Sequence, residues 1–418
     1  MSVASTDSTI AQRYREIRSF TEQIVATLTP EDCIIQSMPD TSPMRWHMAH
    51  TTWFFETFIL PLHRGYQVYD EQFNFLFNSY YNKVGDQFPR PQRGLMSRPS
   101  VDEIKQYRHY VDEKMIEFLS SDEVPEDLKY AIEVGLNHEQ QHQELMLTDI
   151  KHVLSCNPIL PTYQPSPMAP FEKPNNEWFD HDEGIVEIGH AGDGFAFDNE
   201  SPRHRVFLHD FSIAGSPVTC GQYIEFIEDG GYERPDHWLS LGWTTVQEQE
   251  WNAPLYWLKK NNQWMQFTLS GLKPVNRDWP VCHVSYFEAD AFARWAGYRL
   301  PTEFEWEYAS AKAGGDQFAD LLTNCGFAIH PTGGEASTEQ PAQMFGGVWE
   351  WTCSSYAAYP GYAAPPGALG EYNGKFMCNQ YVLRGGSVAT SSNHIRGTYR
   401  NFFPPEARWQ FSGFRVAK

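Results

Sequence analysis

The sequence predicts an α+β protein of two domains, in which a helical N-terminal half precedes a mixed C-terminal half that is poor in regular structure. The chain has 418 residues, which is more than one hydrophobic core usually serves. The stretch 156–177, CNPILPTYQPSPMAPFEKPNNE, is dense in proline and lacks periodicity, as is typical of a linker. We therefore predict a helical domain over 1–160, a linker over 161–175 and a second domain over 176–418.

Four segments of the first half carry apolar residues at helical spacing, and they cover 7–28, 46–63, 100–121 and 125–155. The first begins with a Ser or Asp suited to capping, and the third begins with Ser100 and Glu103 at capping-box spacing. Helices of this length favour a four-helix bundle, in which inward-facing side chains build any metal site. Residues 65–100 show no periodicity, and so long a loop inside a compact domain is often functional.

The second half holds most of the glycines and short runs typical of strands, such as RVFLHDFSI at 205–213 and YVLRGGSV at 381–388. Its best helical segments are 284–297 and 302–311. Short strands with few helices predict a mixed domain here.

Composition narrows the class of function. Acidic residues outnumber Lys and Arg, giving a net charge of −21, which argues against nucleic-acid partners and against docking on anionic membranes. The cysteines form no C-x-x-C pair and are odd in number, as expected in a reducing cytoplasm. The N-terminus has no apolar signal core, and no 18-residue apolar run occurs. We expect a cytoplasmic protein that acts on small molecules.

The segment HEQQHQE at 138–144 carries the strongest chemical signal. His138 and His142 lie four residues apart, so they share one helical face and can bind one metal. The segment RWHMAH offers His47 or His50 as a third ligand. Three histidines with open positions suit iron(II) with oxygen and substrate, or zinc with water. A zinc hydrolase with Glu139 as base therefore remains an alternative.

Long motifs of the second half carry a family resemblance. They are PVCHVSYFEADAFARWAGYRLPTEFEWEYAS at 280–310, GGVWEWT at 346–352, VLRGGSV at 382–388 and FSGFR at 411–415. They resemble the formylglycine-generating-enzyme fold, a C-type-lectin-like domain. The enzymes that make formylglycine bind copper through two cysteines shortly after R-G-G-S, but the segment RGGSVATSSNHIRGTYR contains none. Formylglycine synthesis is therefore not expected. Cys353 and Cys378 are expected to be small buried residues, with free reactive thiols as the minor alternative.

In the first half, WHMAHTTWFFETF together with HEQQHQE resembles a DinB-like bundle. A DinB-like bundle followed by a formylglycine-enzyme-like domain is similar to the sulfoxide synthases of ergothioneine biosynthesis, over nearly the whole chain. The resemblance implies a mononuclear non-haem iron(II) enzyme that uses O2. Such an enzyme joins the thiol of cysteine or γ-glutamylcysteine to C2 of the hercynine imidazole and leaves a sulfoxide. An ovothiol-type synthase, which acts on histidine at C5, is the near alternative.

The same resemblance implies roles for residues of the first half. The iron ligands are His50, His138 and His142, and they leave three octahedral positions open for reactants. Gln141 contacts the substrate imidazole. Some family members use a tyrosine of the C-terminal domain as proton donor, and others use a pair on the long loop. The segment PPGALGEYNGKF at 365–376 lacks the first group's pattern, so we assign the catalytic role to Tyr81 and Tyr80.

Further resemblance-based roles concern substrate binding. Arginine suits bidentate recognition of carboxylates, and aromatic faces attract trimethylammonium groups. The implied carboxylate-binding residues of the long loop are Arg90 and Arg93. The implied pocket residues of the second domain, which would complete the substrate site, are Asn401, Phe402, Phe403 and Arg408.

Overall fold

The computed structural model describes residues 9–121, 124–165, 177–192, 194–313, 321–322 and 340–418. It divides into two compact units. The first unit comprises Met1–Asn157 and Pro365–Tyr372, and the second comprises Pro158–Ala364 and Asn373–Lys418. The sequence-based division had assigned 365–372 to the second domain. Residues 166–175 of the predicted linker lie outside the described residues.

The first unit is helical, as predicted. Its helices are α1 (Ile10–Val25), α2 (Met44–Phe58), α3 (Gln72–Phe77), α4 (Val101–Leu119) and α5 (Glu126–Ser155). The four long helices match the four predicted segments. Helix α4 begins with the predicted capping box of Ser100 and Glu103. Helix α1, in contrast, is capped by Thr9, whose hydroxyl accepts a hydrogen bond from the backbone N–H of Gln12, and not by a Ser or Asp.

The short helix α3 lies inside the segment that showed no periodicity. Its Phe73 and Phe77 are buried, and the Phe73 ring packs against Tyr107 of α4 with centroids 4.9 Å apart. A helix of six residues is marginal without such packing, and it is too short to display a helical repeat. Tertiary contacts therefore account for α3, which explains why the sequence pattern did not predict it.

Helix α2 packs against α4 and α5, and α1 packs against α4 and α5. Gly135 makes the approach of α5 to α2 possible. A Cβ atom at this position would lie 2.6 Å from Cε1 of Phe55 and 3.0 Å from Cε1 of Phe54. Because residue 135 is a glycine, the two helix backbones come close together one turn before His138. This close contact positions the histidines of α2 and α5 opposite one another.

The second unit is mixed, as predicted. Its helices are α6 (Cys220–Glu228), α7 (Ser240–Glu248), α8 (Tyr286–Trp295) and α9 (Glu303–Lys312). Its strands are β1 (Trp178–His181), β2 (Gly184–Ile188), β3 (His204–Leu208), β4 (Phe211–Ala214), β5 (Trp257–Lys260), β6 (Gln263–Thr268), β7 (Gly271–Pro274), β8 (Trp349–Ser355), β9 (Tyr381–Arg384), β10 (Asn401–Phe403) and β11 (Ser412–Gly413).

These strands form small sheets. Within the described part of the chain, β1 pairs with β4, β2 with β3, β5–β6–β7 form a meander, and the largest sheet has the order β10-β9-β8-β11. In the largest sheet only β11 runs parallel to its neighbour. Helices α8 and α9 confirm the two predicted helical segments, and each begins with a capping box.

One expectation about cysteines was wrong. Cys353 and Cys378 are exposed instead of buried. Cys353 lies at the solvent-facing end of β8, where alternate side chains point away from the core. Across the described ranges, no helix is long and apolar enough to cross a membrane.

Candidate metal centre

Three histidines of the first unit converge inside the bundle. His50 of α2 faces His138 and His142 of α5, and one ligand nitrogen from each lies within 4.8 Å of the other two. The three ring centroids are 4.6 to 4.9 Å apart. The Nε2 atoms of His50 and His138 are separated by 3.2 Å. Two imidazole nitrogens bound at right angles to one ion would be about 3 Å apart, given metal–nitrogen bonds of about 2.1 Å. The triad therefore fits one metal ion.

The environment keeps these three rings neutral, as metal ligands must be. Burial lowers the pKa of His138 to about 3. Burial, followed by the neighbouring imidazoles, also lowers the pKa of His50 and of His142 well below the usual value. Neutral imidazoles retain the lone pairs that bind metal, so the centre is ready for a cation at ordinary pH.

Two tryptophans of α2 hold the His50 ring. Trp46 stacks on it at a centroid distance of 4.6 Å, and Trp53 lies nearly parallel to it at 5.4 Å. The backbone carbonyl of Phe77 accepts a hydrogen bond from Nδ1 of His50 at 2.6 Å. This bond leaves Nε2 of His50 directed at His138, as a metal ligand requires.

The sequence left His47 and His50 as alternatives for the third ligand, and the structure separates them. His47 lies outside the triad, where its Nδ1 is 2.8 Å from Nδ1 of His142. Its Nε2 is 2.9 Å from Oδ2 of Asp149. His47 therefore contacts a candidate ligand instead of serving as one, whereas His50 occupies the place that the sequence resemblance implied.

Glu139, the possible base of a hydrolase, is bound elsewhere. Its carboxylate is fully buried and accepts hydrogen bonds from Arg18, Arg108 and Thr21 at 2.5 to 2.8 Å. Although burial alone would raise its pKa, the two guanidinium groups lower it to about 2. A carboxylate held in this way joins α5 to α1 and α4 and is a poor proton acceptor.

Arg93 of the long loop is a buried cation beside the triad. Its guanidinium lies 3.4 Å from the ring centroid of Trp46 and donates hydrogen bonds to the hydroxyls of Ser42 and Ser79. Its Nε has no hydrogen-bond partner among the described residues. Burial, followed by the positive charge of Arg90, lowers its pKa well below the usual value, and the negative charge of Asp149 offsets only part of this lowering. Arg90, in contrast, is exposed and donates to the carbonyl of Asp40.

The two tyrosines of the loop stack on each other at 4.6 Å. Tyr81 is completely buried, and its hydroxyl forms no well-aligned hydrogen bond with a described residue. Burial raises the pKa of Tyr81, followed by the effect of Tyr80. The Tyr81 ring contacts Trp53, which in turn lies on His50. The Trp53 ring therefore links the tyrosine pair to His50 of the triad.

Tyr372, for which the sequence predicted no role, belongs to the first unit. Its ring lies 5.8 Å from that of His138, and its hydroxyl donates to the side-chain oxygen of Gln141. The adjacent Glu371 accepts hydrogen bonds from the backbone N–H groups of Asn82 and Lys83. Gln141 thus lies near the triad, and its contact with the substrate imidazole stays a prediction. Its partner Tyr372 belongs to the segment 365–376, for which the sequence predicted no proton donor.

The remaining predicted residues belong to the second unit. Phe402 stacks on Tyr356 at 4.0 Å, Phe403 contacts Trp409 edge-on, and Asn401 accepts a hydrogen bond from the next backbone N–H. The guanidinium of Arg408 bonds to Glu288 at 3.2 Å and to the carbonyl of Ala253. Arg408 therefore has structural partners of its own. Substrate binding by these four residues stays a prediction.

Comparisons with known families agree with the two-unit architecture. Residues 13–146 match the DinB superfamily. Residues 171–324 and 335–418 match the sulfatase-modifying factor enzyme 1-like domain. The first match contains the triad, and the second covers most of the mixed unit. The fold class predicted from the sequence is confirmed.

Curated relatives resemble this chain over 54% to 91% of its length. Hercynine oxygenase of Mycobacterium tuberculosis is 32% identical over 320 residues, which cover 70% of this chain and 73% of that protein. Hercynine oxygenase of Mycolicibacterium thermoresistibile is 30% identical over 409 residues, covering 91% and 88%. Ergothioneine biosynthesis protein 1 of Schizosaccharomyces pombe is 27% identical over 241 residues, covering 54% and 28%. With its buried three-histidine centre and this extent of similarity, the chain belongs to the hercynine oxygenase family.

Proposed function

We propose that this protein is an iron(II)- and O2-dependent enzyme that joins the thiol of cysteine or γ-glutamylcysteine to C2 of hercynine and oxidises the sulfur to a sulfoxide. The observation that carries the proposal is the buried triad of neutral imidazoles from α2 and α5. Three neutral nitrogen ligands with open positions suit iron(II). When bound there, iron(II) would supply electrons to O2 and favour the thiolate form of the sulfur substrate.

Arg93 supports recognition of the thiol substrate. This buried guanidinium donates hydrogen bonds to hydroxyls, and the attraction of Asp149 offsets only part of its burial, so binding of a further anion is favourable. The carboxylate of cysteine or of its γ-glutamyl form provides that anion, and two nitrogen donors allow bidentate contact. The contact between this carboxylate and Arg93, which lies over Trp46, would then hold the substrate sulfur in a fixed position relative to the triad. In this proposal Arg90 adds a second positive charge from the surface of the same loop.

Gln141 supports recognition of the imidazole substrate. Its side-chain oxygen already accepts the Tyr372 hydroxyl. An imidazole N–H presents the same kind of donor to that oxygen, so Gln141 can orient the ring of hercynine near His138.

Proton delivery requires a neutral phenol close to the reacting atoms. Tyr81 remains protonated because burial raises its pKa, and Tyr80 stacks on it. We keep the sequence-based assignment of Tyr81 and Tyr80 as proton donors and add Tyr372 as a third phenol in contact with the triad.

The decisive experiment is an aerobic assay with iron(II), hercynine and each thiol in turn, followed by mass spectrometry. We expect a product that contains both substrates and one added oxygen, with one thiol preferred. Matched reactions with metal-free protein and with His138→Ala should give none. Two parallel assays test the alternatives. Peptide cleavage by the zinc-loaded protein would support a hydrolase, and a product substituted at C5 when histidine replaces hercynine would support an ovothiol-type synthase.

A further inference from the structure

A continuous chain of polar groups runs from Asp149 through His47 to His142. Oδ2 of Asp149 lies 2.9 Å from Nε2 of His47, and Nδ1 of His47 lies 2.8 Å from Nδ1 of His142. The backbone N–H of Ser42 donates to the same Oδ2 at 2.8 Å. All three side chains are buried. Water therefore competes little with these bonds.

The hydrogen-bond directions assign the tautomers along this chain. A carboxylate accepts only, so Nε2 of His47 carries a hydrogen and donates it to Asp149. Nδ1 of His142 faces His47, so a His142 that binds a metal through Nε2 carries its hydrogen on Nδ1 and donates it to the lone pair on Nδ1 of His47. The carboxylate of Asp149 thus sets the tautomer of His142 through the His47 ring that lies between them.

The other two candidate ligands have different outer partners. His50 donates its Nδ1–H to the neutral carbonyl of Phe77. Nδ1 of His138 finds no hydrogen-bond partner within the described ranges. Among the three, only His142 is joined through hydrogen bonds to an anion. Such outer partners fix ring orientation and raise the basicity of a metal-binding histidine.

We propose that Asp149 and His47 form an outer-sphere relay that fixes the metal-binding tautomer of His142 and strengthens its donation to the metal. His47 and Asp149 are positioning residues in this scheme, because neither lies in the triad. The proposal rests on the metal site of the proposed function. It goes beyond that function by assigning roles to two residues with no direct contact with metal or substrate.

A pair of substitutions at His47 separates the relay from simple packing. Phe fills a similar volume with a flat ring but has no hydrogen-bonding atoms. Gln is smaller and flexible, yet its amide can donate to Asp149 and accept from His142. A relay requires that His47→Gln retain metal binding better than His47→Phe. A side chain that only fills space predicts the reverse order.

The probe is Co(II), added to metal-free protein and measured by chelator competition and by its visible absorption bands. We expect His47→Phe to weaken Co(II) binding by about 10- to 100-fold, the usual range for loss of an outer partner. His47→Gln should retain affinity within a few-fold of the wild type. Asp149→Asn keeps a hydrogen-bond acceptor but removes the charge, so we expect an intermediate loss and shifted absorption bands.

The control is His109→Gln on α4, where the ring is exposed and pairs with Glu113 at 3.2 Å. It should bind Co(II) like the wild type. Thermal midpoints of the metal-free proteins show that each variant folds. Equal affinity for His47→Phe and the wild type, or loss in His47→Gln as great as in His47→Phe, would overturn the relay. Failure of the substrate assay with this Co(II) order intact would overturn the proposed reaction and leave the relay standing.

Discussion

Replacing Glu139 with Gln keeps the shape of a fully buried side chain and removes its negative charge. In the wild type this charge lies between Arg18 and Arg108. Arg18 would still pair with Asp112 at 2.6 Å after the substitution. Among the described residues, the acidic partner that Arg108 would keep is the exposed Glu22, at 3.8 Å. The main consequence of the change is therefore a buried guanidinium without a close counter-ion.

The size of the effect follows from the pKa of Glu139. The arginines hold this pKa at about 2, compared with 4.5 for a free glutamate. At about 1.4 kcal/mol for each pKa unit, the folded state favours the charged form by about 3 kcal/mol. Removal of one partner from a buried ion pair has a similar cost, about 3 to 5 kcal/mol. We expect the first unit to lose stability by about 3 kcal/mol, or on the order of 10 °C in its thermal midpoint.

The assay is thermal unfolding followed by the helical circular dichroism signal, because the first unit holds the long helices. Glu133→Gln provides a matched control on the same helix. Glu133 pairs with Arg13 at 2.7 Å, but both side chains are partly exposed, 24% and 34% respectively. Since such pairs contribute at most about 1 kcal/mol, the control should shift the midpoint by only about 3 °C.

The opposite pattern would refute this reasoning. Suppose that the thermal midpoint of Glu139→Gln lay within about 2 °C of the wild type, a shift no larger than that expected for loss of a surface ion pair worth about 1 kcal/mol. The Glu139 carboxylate would then not be a structural link between the helices. If the same stable variant also bound metal normally but lost all turnover, Glu139 would act as a catalytic base. That result would restore the hydrolase interpretation of HEQQH.

Other predictions test the same architecture. Glu139 has a lower pKa in the folded protein than when free, so the stability that its charge gives the folded state is complete above pH 4.5 and is lost as the pH falls towards 2. Between these pH values, the melting temperature of the wild type should therefore decline more steeply than that of Glu139→Gln. Gly135→Ala should destabilise the unit by about 1 to 3 kcal/mol in denaturant titrations, because its Cβ would press on Phe55, and should weaken Co(II) binding. Arg93→Gln should raise KM for the thiol at least about tenfold, with little change in KM for hercynine, whereas exposed Arg98→Gln should leave both near wild-type values. Tyr81→Phe should shift the product from sulfoxide towards simple thiol oxidation while iron stays bound; an unchanged product ratio would remove Tyr81 from the mechanism, and the same assay on Tyr372→Phe tests the phenol next to His138.

Local pattern predicted the parts of the site that one helix contains. His138 and His142 share a face because they are four residues apart, and this holds wherever α5 packs. The choice between His47 and His50 was different, since both lie on α2 within one turn. What separates them is Asp149, which is 102 residues from His47 in sequence. A local sequence pattern does not indicate a contact between residues so far apart in the chain.

Tyr372 was missed for the same reason. It lies 231 residues from Gln141, in a segment without helical or strand periodicity. Its position depends on the carboxylate of Glu371, which accepts two backbone N–H groups of the long loop. Such side-chain-to-backbone contacts between distant segments leave no repeat in the sequence. The resemblance could suggest a tyrosine from this region, but only the folded chain places it beside His138.

Helix α5 presents its metal-binding residues on one face and its contacts with α1 on another. The motif HEQQH contributes residues to both faces, because successive residues point in different directions around the helix. Each residue turns the helix by about 100°, so positions seven apart nearly coincide in direction. His142 and Asp149 therefore share a face, so their spacing indicates a carboxylate on the same side of the helix as the ligand, although it does not indicate His47 between them. Glu139 points to another face, where Gln143, four residues later, donates to the carbonyl of Ile17 and to Thr21. Because α1 is fixed there by Glu139 and Gln143, substitutions on that face should affect folding, and substitutions on the first face should affect metal binding.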